Sequence, residues 1–145
     1  MTISGTDWLA SCSPTPADVR QQWADEGLAG IPAVAWAVVE ADLMRSIDAM
    51  QILGRARKLG PVLAYPEADR AWWLVPHGPE TLALDDLPQL TVHAKYWRLR
   101  CPPAHEYMHG RGWLEKPDGS GRLTDPVDLG AAFGPTSRLP VEAFG

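Results

Sequence analysis

Proline and glycine cut this chain into short segments, and this limits what it can fold into more than any other feature. There are 14 prolines and 13 glycines among 145 residues. Gly60-Pro61 and Pro76-His77-Gly78-Pro79 separate runs of apolar residues. Proline lacks a backbone N–H and glycine favours turns, so neither continues a helix or a strand well. The pattern predicts short helices and short strands joined by tight turns.

Two main helices are predicted in the first half of the chain. Thr15-Pro16 is a helix start, and Gly27 is the predicted stop of that helix. A second helix is expected from Asp42, as N-cap, to about Lys58, because Leu43, Ile47, Met50 and Leu53 follow helical spacing. Residues 80–87 are expected to form one or two helical turns. Asp125-Pro126 is expected to begin a short last helix that ends near Phe133.

Alternating or continuous apolar runs predict the strands, which are Ala33–Val39, Pro61–Tyr65, Ala71–Val75, Thr91–Leu99, Trp113–Lys116 and Arg122–Thr124. The second and third are expected to form one hairpin, and the last two another. Few helices with mostly hairpin-linked strands predict an α+β fold, in which a largely antiparallel sheet is covered on one face by the two main helices.

The predicted organisation is a flexible leader over residues 1–14, one compact α+β domain over residues 15–133, and a Gly/Pro-rich tail over residues 134–145. Seven tryptophans spread over the predicted elements indicate a core that contains several indoles. The predicted core consists of the inward positions at the expected period, which are Val19, Trp23, Val34, Trp36, Val38, Ile47, Met50, Leu63, Trp73 and Val75.

Composition limits the class of protein. A formal net charge of −5 argues against nucleic acid as a partner, because phosphate binding needs a positive field. No apolar run has the length of a membrane span, and the two distant cysteines, Cys12 and Cys101, are expected to be reduced thiols, so a cytoplasmic protein is expected.

One local exception to the acidic balance is the set Lys95, Arg98, Arg100 and Arg111, interleaved with Tyr96, Trp97 and Tyr107. This set is either a small stacking and phosphate-contacting surface or the outward side of a strand.

One motif points to metal chemistry. His105-Glu106-Tyr107-Met108-His109 matches H-E-x-x-H, which on a helix places two imidazoles on one face to share zinc. With Gly112 and Glu115 it resembles the metzincin pattern, which implies His105, His109 and Glu115 as zinc ligands and Glu106 as general base. Most metzincins have histidine as the third ligand. Because Pro102-Pro103 precedes the motif and Gly110 follows it, the other interpretation is an exposed loop with two solvated histidines.

A second constellation consists of Glu40-x-Asp42, Thr91-Val92-His93 and Thr124-Asp125. Paired carboxylates at the end of a strand are typical of magnesium-dependent nucleotidyl transferases. The order of these pieces is similar to that of archaeo-eukaryotic-type primase-polymerase domains, although Glu40 stands where that family normally has aspartate.

Longer stretches also resemble a group of proteins: residues 17–27, Leu59-Gly60-Pro61-Val62-Leu63, Trp72-Trp73-Leu74-Val75-Pro76, Trp113-Leu114 and residues 117–125. They resemble small actinobacterial proteins of unknown function, some loosely labelled primase/polymerase-like. The resemblance implies one compact domain, carries no established activity, and does not include His105–His109.

These observations predict a non-catalytic binding or regulatory module with no cofactor, whose partner is another protein or a small ligand held against exposed indoles. One alternative is a zinc-dependent hydrolase that uses residues 105–115. A further alternative is a degenerate primase/polymerase-like nucleotidyl transferase.

Overall fold

Five α-helices and seven β-strands lie within residues 3–134, the part of the chain that the computed structural model describes. In chain order they are α1 Gly5–Ser11, α2 Pro16–Ala24, β1 Ala29–Pro32, β2 Ala37–Asp42, α3 Leu43–Arg55, β3 Val62–Tyr65, β4 Arg70–Val75, α4 Pro79–Ala83, β5 Thr91–Val92, β6 Arg98–Cys101, β7 Gly112–Glu115 and α5 Pro126–Phe133. Two short 3₁₀ turns cover Pro66–Ala68 and Leu84–Asp86. None of these helices has the length and apolar character needed to span a membrane.

Five of the strands form one antiparallel sheet in the order β5-β2-β4-β3-β7, and β1 and β6 form a separate antiparallel pair. The hairpin of β3 and β4 matches the prediction, with Asp69 in the left-handed region (φ 55°) closing the turn. The α+β fold class predicted from the sequence is therefore confirmed.

Both faces of the five-stranded sheet are buried, which corrects the expectation of cover on one face. Val38, Leu63 and Trp72 pack with α1, α2 and the β1–β6 pair in one apolar cluster. Val39 and Trp73, their neighbours in the strands, pack against α3 and α5 in a second cluster. Successive side chains of a strand point to opposite faces, so a single sheet supplies both clusters.

Residues 1–14 were expected to be a flexible leader, and this is wrong for the part that the structure describes. Ser4 is the N-cap of α1, and its hydroxyl accepts a hydrogen bond from the Asp7 backbone N–H at 3.0 Å. Leu9 and Ala10 are completely buried in the first cluster. An N-cap serine and two buried apolar side chains make α1 part of the domain.

Two predicted strands are each divided in the structure, for a common reason. The Ala33–Val39 run belongs to a turn and β2, and the Thr91–Leu99 run is split between β5 and β6. At both breaks the chain crosses from one sheet to the other. Two backbone hydrogen bonds join these crossing segments to each other. The Ala33 N–H donates to the Trp97 carbonyl at 2.8 Å, and the Tyr96 N–H donates to the Ala33 carbonyl at 3.1 Å.

The predicted second hairpin does not form. β7 pairs with β3, and residues 122–124 are not a strand. Thr124 is instead an anchor, because its N–H donates to the Leu74 carbonyl at 3.1 Å and its hydroxyl accepts from the Gly60 N–H at 2.9 Å. The last helix, α5, begins at the expected cap, where Asp125 accepts from the Asp128 N–H. Of the predicted tail, residues 135–145 lie outside the described part of the chain.

Seven of the ten predicted core residues are buried, including Trp36 and Trp73, which are fully enclosed. Val34 and Met50 are only partly buried, and Ile47 lies at the surface. Helix α3 turns Ser46, Ala49 and Leu53 inward instead. The buried side of α3 includes Ser46 because the Trp73 indole N–H donates to its hydroxyl at 3.0 Å.

Candidate functional site

The H-E-x-x-H segment is not helical. His105 follows Pro102-Pro103 in an irregular stretch, and both His105 and Glu106 are exposed. Met108 and Arg111 exchange two backbone hydrogen bonds of 2.9 and 3.0 Å. These bonds close a two-residue turn in which His109 (φ 50°) and Gly110 (φ 82°) both have left-handed backbones, as a type I′ turn requires.

His109 serves a structural purpose in this turn. Its Nε2 lies 2.9 Å from the Glu26 carbonyl oxygen. Because a carbonyl oxygen only accepts, Nε2 carries the proton and donates it to Glu26. The bond ties the turn before β7 to the chain between α2 and β1, and it leaves no lone pair on Nε2 for a metal.

The predicted zinc ligands therefore do not converge. His109 lies within the turn, His105 lies in the irregular stretch before it, and Glu115 is the last residue of β7. Within residues 3–134, no group of three histidine, cysteine, aspartate or glutamate side chains is placed to hold a metal ion. The geometry that Glu106 needs to act as general base on a metal-bound water is absent for the same reason. The helix that the zinc alternative requires is absent, and the other interpretation, a loop, is confirmed for residues 103–110.

The second constellation is only partly assembled. Glu40 of β2 and His93, just after β5, are brought together by the pairing of the two strands, and Glu40 Oε1 lies 2.7 Å from His93 Nε2. Asp42 and Asp125 are used elsewhere, because each caps a helix by accepting from a backbone N–H. The three carboxylates thus do not form a magnesium site of the kind that the sequence order indicates.

Glu40 is a half-buried carboxylate with several partners. Its Oε1 also accepts from the Trp72 indole N–H at 2.9 Å, and its Oε2 lies 3.7 Å from a guanidinium nitrogen of Arg70. The Glu40 side chain is 23% exposed and that of His93 is 18% exposed. A carboxylate at this depth is tolerable because it accepts two hydrogen bonds and faces a cation.

His93 is fixed from a second side by an aromatic stack. Its ring lies parallel to that of Trp97, with 3.7 Å between the centroids and 6° between the planes. Trp97 is held in turn because its backbone N–H donates to the Ala94 carbonyl at 3.0 Å, closing the turn that leads into β6. Glu40 and Trp97 together therefore fix the position and the plane of the imidazole.

Arg111 lies over two aromatic rings. Its guanidinium carbon is 4.5 Å from the Trp72 ring centroid and 5.0 Å from that of Tyr65, and these two rings are themselves stacked at 6.5 Å. One guanidinium nitrogen donates to the Arg100 carbonyl at 2.8 Å. This is the only hydrogen bond of the guanidinium within residues 3–134, so most of its five N–H donors stay available.

We call these side chains the seam cluster, because they fill the line where the β1–β6 pair meets the five-stranded sheet; they are Glu40, Tyr65, Trp72, His93, Trp97 and Arg111. Burial lowers the pKa of Arg111 from its ordinary value, and the nearby positive charge of Arg100 lowers it as well, while Tyr65 and Glu40 act in the opposite direction. The guanidinium remains charged, and an added anion would relieve both the burial cost and the repulsion from Arg100.

The sequence indicates four members of this cluster but assigns them to two separate hypotheses. It singled out Glu40 and His93 for magnesium chemistry and Trp97 and Arg111 for a stacking surface. It did not indicate Tyr65 or Trp72 as site residues: both belong to the predicted hairpin, and Trp72 is also one of the tryptophans expected in the core. Their register in the β3–β4 pair, with Leu63 opposite Trp72, brings the two rings to the same face, and this register is not readable from spacing.

The remaining cations of the basic set lie beside the seam cluster. Arg98 and Arg100 alternate with the buried Leu99 and Cys101, so both point outward from β6. Lys95 lies 5.5 Å from the ring centroid of the exposed Tyr96. The description as outward strand residues is confirmed for Arg98 and Arg100, whereas a phosphate-contacting surface stays a prediction.

Comparisons of the chain with known protein families, with curated proteins and with solved structures find no match.

Proposed function

We propose that this protein is a non-catalytic binding module and that the seam cluster is its binding site. Its ligand carries an anionic group, which the guanidinium of Arg111 binds, next to a flat or apolar part that packs on the partly exposed ring of Tyr65. Arg111 carries the proposal. A partly buried guanidinium that uses one hydrogen bond and lies on two aromatic rings is already oriented for an anion.

The surroundings of Arg111 support this choice of ligand. Four cations lie between residues 95 and 111, and no carboxylate within residues 3–134 approaches any of them to within 4 Å. The nearby carboxylate of Glu40 opposes the lowering of the Arg111 pKa by burial, but it is already paired with Arg70 and His93, although the chain has 18 acidic and only 13 basic residues. An anion from outside the chain is the natural complement.

Binding accounts for the site better than catalysis does. The acid–base pair of the seam cluster, Glu40 and His93, is joined in an internal hydrogen bond, and Trp72 shares the same carboxylate oxygen. Both cysteines are buried, Cys101 on the inward face of β6 and Cys12 at the end of α1, so neither thiol is presented to a substrate. Two free thiols are also typical of a reducing compartment, and we propose a cytoplasmic location.

The test uses small anions as probes and nuclear magnetic resonance as the readout. Benzoate and acetate are titrated at constant ionic strength while the Arg111 side-chain N–H and Trp72 indole N–H resonances are followed. We expect both probes to shift these resonances. Benzoate should bind more tightly, because it adds a ring that stacks on the aromatic side chains.

Arg111→Met keeps the length of the side chain and removes its charge and donors, so we expect benzoate affinity to fall at least about tenfold. Arg111→Lys keeps the charge but loses the planar fork, and it should recover little of the affinity. Arg122→Met removes an exposed arginine from a loop and is the matched control. Unchanged benzoate affinity in Arg111→Met, or shifts confined to other parts of the domain, would show that the seam cluster is not the site.

A further inference from the structure

We infer that the anion bound by Arg111 belongs to an extended acidic segment of a partner protein, which adds as a strand to the free edge of β6. The inference rests on the proposed function and goes beyond it by naming the partner and its mode of binding. In this mode backbone hydrogen bonds provide the pairing and acidic side chains provide specificity.

The free edge of β6 follows from its register with β1. Arg98 lies opposite Pro32, and Ala33 N–H donates to the Trp97 carbonyl one step further along. Since Pro32 has no N–H, the Arg98–Pro32 pair is of the non-hydrogen-bonded kind. Because such positions alternate along an antiparallel pair, the backbone groups of Arg98 and Arg100 both point away from β1.

These outward backbone groups lack protein partners. Arg111 donates to the Arg100 carbonyl, but no hydrogen bond within residues 3–134 reaches the Arg98 N–H, the Arg98 carbonyl or the Arg100 N–H. An added strand would pair with both the N–H and the carbonyl of Arg98, because a residue of a neighbouring strand offers one acceptor and one donor. Arg111, which donates to the Arg100 carbonyl at this edge, is also the residue proposed to bind the anion. The proposed anion site and the free edge of β6 are therefore adjacent.

The charges at this edge specify an acidic strand. Arg98 and Arg100 project from the same face of β6, two residues apart, and both are exposed. In the free protein the Arg98 guanidinium lies over β1, where it donates to the Gly30 carbonyl at 3.1 Å. In an added antiparallel strand, the residues directly opposite the two arginines lie on that same face. Acidic side chains at every second position would therefore face Arg100 directly and Arg98 once its guanidinium turns away from the Gly30 carbonyl, and a carboxylate beyond them would reach Arg111.

A protein segment fits better than a single-stranded nucleic acid. The edge offers both N–H donors and a carbonyl acceptor, whereas a sugar-phosphate backbone has acceptors and, in DNA, no donor to return to the Arg98 carbonyl. The net charge of −5 also repels a polyanion at long range, while a short acidic segment is affected less.

The probe is a capped peptide of four Glu-Val repeats, whose glutamates all lie on one face when it is extended. Binding to the full chain is measured by calorimetry, and amide exchange of Arg98 and Arg100 is followed by nuclear magnetic resonance. We expect binding, slower exchange of both amides by about tenfold or more, and at least about tenfold weaker affinity for Arg98→Glu/Arg100→Glu. Arg55→Glu/Arg57→Glu, which makes the same charge change on exposed residues at the end of α3, should bind almost as the parent does.

Two methylated peptides test strand addition without altering the protein. In the proposed register the glutamates have their N–H groups directed at β6, so N-methylation of the glutamates should reduce affinity at least about tenfold, whereas N-methylation of the valines should change it little. Equal affinities for the two methylated peptides would overturn the strand-addition inference.

The remaining outcomes separate this inference from the proposed function. If the peptide fails to bind while benzoate still shifts the Arg111 resonance, the partner inference is wrong and the proposed site stands. If a twenty-residue oligothymidine binds through Arg98 and Arg100 where the peptide does not, the partner is a nucleic acid and the inference is wrong. If neither benzoate nor the peptide binds, both proposals are wrong.

Discussion

The hydroxyl of Ser46 joins helix α3 to strand β4 of the five-stranded sheet, and its removal should measurably destabilise the domain. Ser46 and Trp73 are both fully buried, and the Trp73 indole N–H donates to the Ser46 hydroxyl at 3.0 Å. Ser46→Ala removes the only acceptor that this N–H has within residues 3–134. The indole donor cannot turn to water, because its side chain has no exposed surface.

The expected cost follows from two opposing contributions. Leaving a buried donor without an acceptor costs about 1–3 kcal/mol. Alanine is a better helix former than serine by about 0.5 kcal/mol, which offsets part of that cost. We therefore expect Ser46→Ala to lower the free energy of unfolding by about 1–2 kcal/mol, equivalent to a fall in Tm of about 3–6 °C for a domain of this size.

Urea unfolding followed by circular dichroism measures this loss, and a double-mutant cycle assigns its cause. Trp73→Phe removes the indole N–H, so adding Ser46→Ala to that variant should cost almost nothing. Ser11→Ala makes the same chemical change at an exposed helical position, the last residue of α1, and should stay within about 0.5 kcal/mol of the parent. An equal loss for Ser46→Ala with and without Trp73→Phe would refute the assignment of the cost to this hydrogen bond.

Two further predictions concern the space around two glycines and a buried thiol. Gly54→Ala should stabilise the domain by about 0.5–1 kcal/mol, because nothing lies within 4 Å of the added methyl on α3. Gly60→Ala should destabilise it by about 1–3 kcal/mol, because the added methyl would lie 2.6 Å from the Thr124 backbone nitrogen. Unfolding midpoints that move in the same direction in both variants would contradict this prediction. Burial raises the pKa of the Cys101 thiol far above its ordinary value, so the unfolded chain loses this proton first as the pH rises. Stability should therefore be unaffected by this thiol below about pH 8.5 and fall above it by up to about 1.4 kcal/mol per pH unit, and urea midpoints for Cys101→Ala should decline less steeply over that range than those of the parent.

Local signals in the sequence predicted the elements that carry them. Pro16, Asp42 and Asp125 mark helix starts that the structure confirms, and the hairpin of β3 and β4 has the predicted turn. Each depends on residues within a few positions of one another. The helix at Gly5–Ser11 was missed although Ser4 provides a cap, because its stability comes from burying Leu9 and Ala10 against distant strands.

The candidate site was predictable only in pieces. Glu40, His93, Trp97 and Arg111 drew attention by residue type, but they were assigned to two separate hypotheses. The H-E-x-x-H match was the more specific pattern and proved misleading, because a pattern of residue types does not state whether the backbone is helical. At His109 the turn to β7 determines the backbone, and the imidazole binds the Glu26 carbonyl.

By itself the sequence determined the fold class, the positions of most caps and turns, and the burial of Trp36 and Trp73, because these depend on local backbone preference and on apolar periodicity. Only the tertiary structure decided where the chain changes sheets, which strand pairs with β7, and which side chains meet Arg111. Alternation along a strand has the same period in either sheet, and strand register is set by packing between residues far apart in the chain. The seam cluster forms where two sheets meet, so its members share no sequence neighbourhood from which they could be read together.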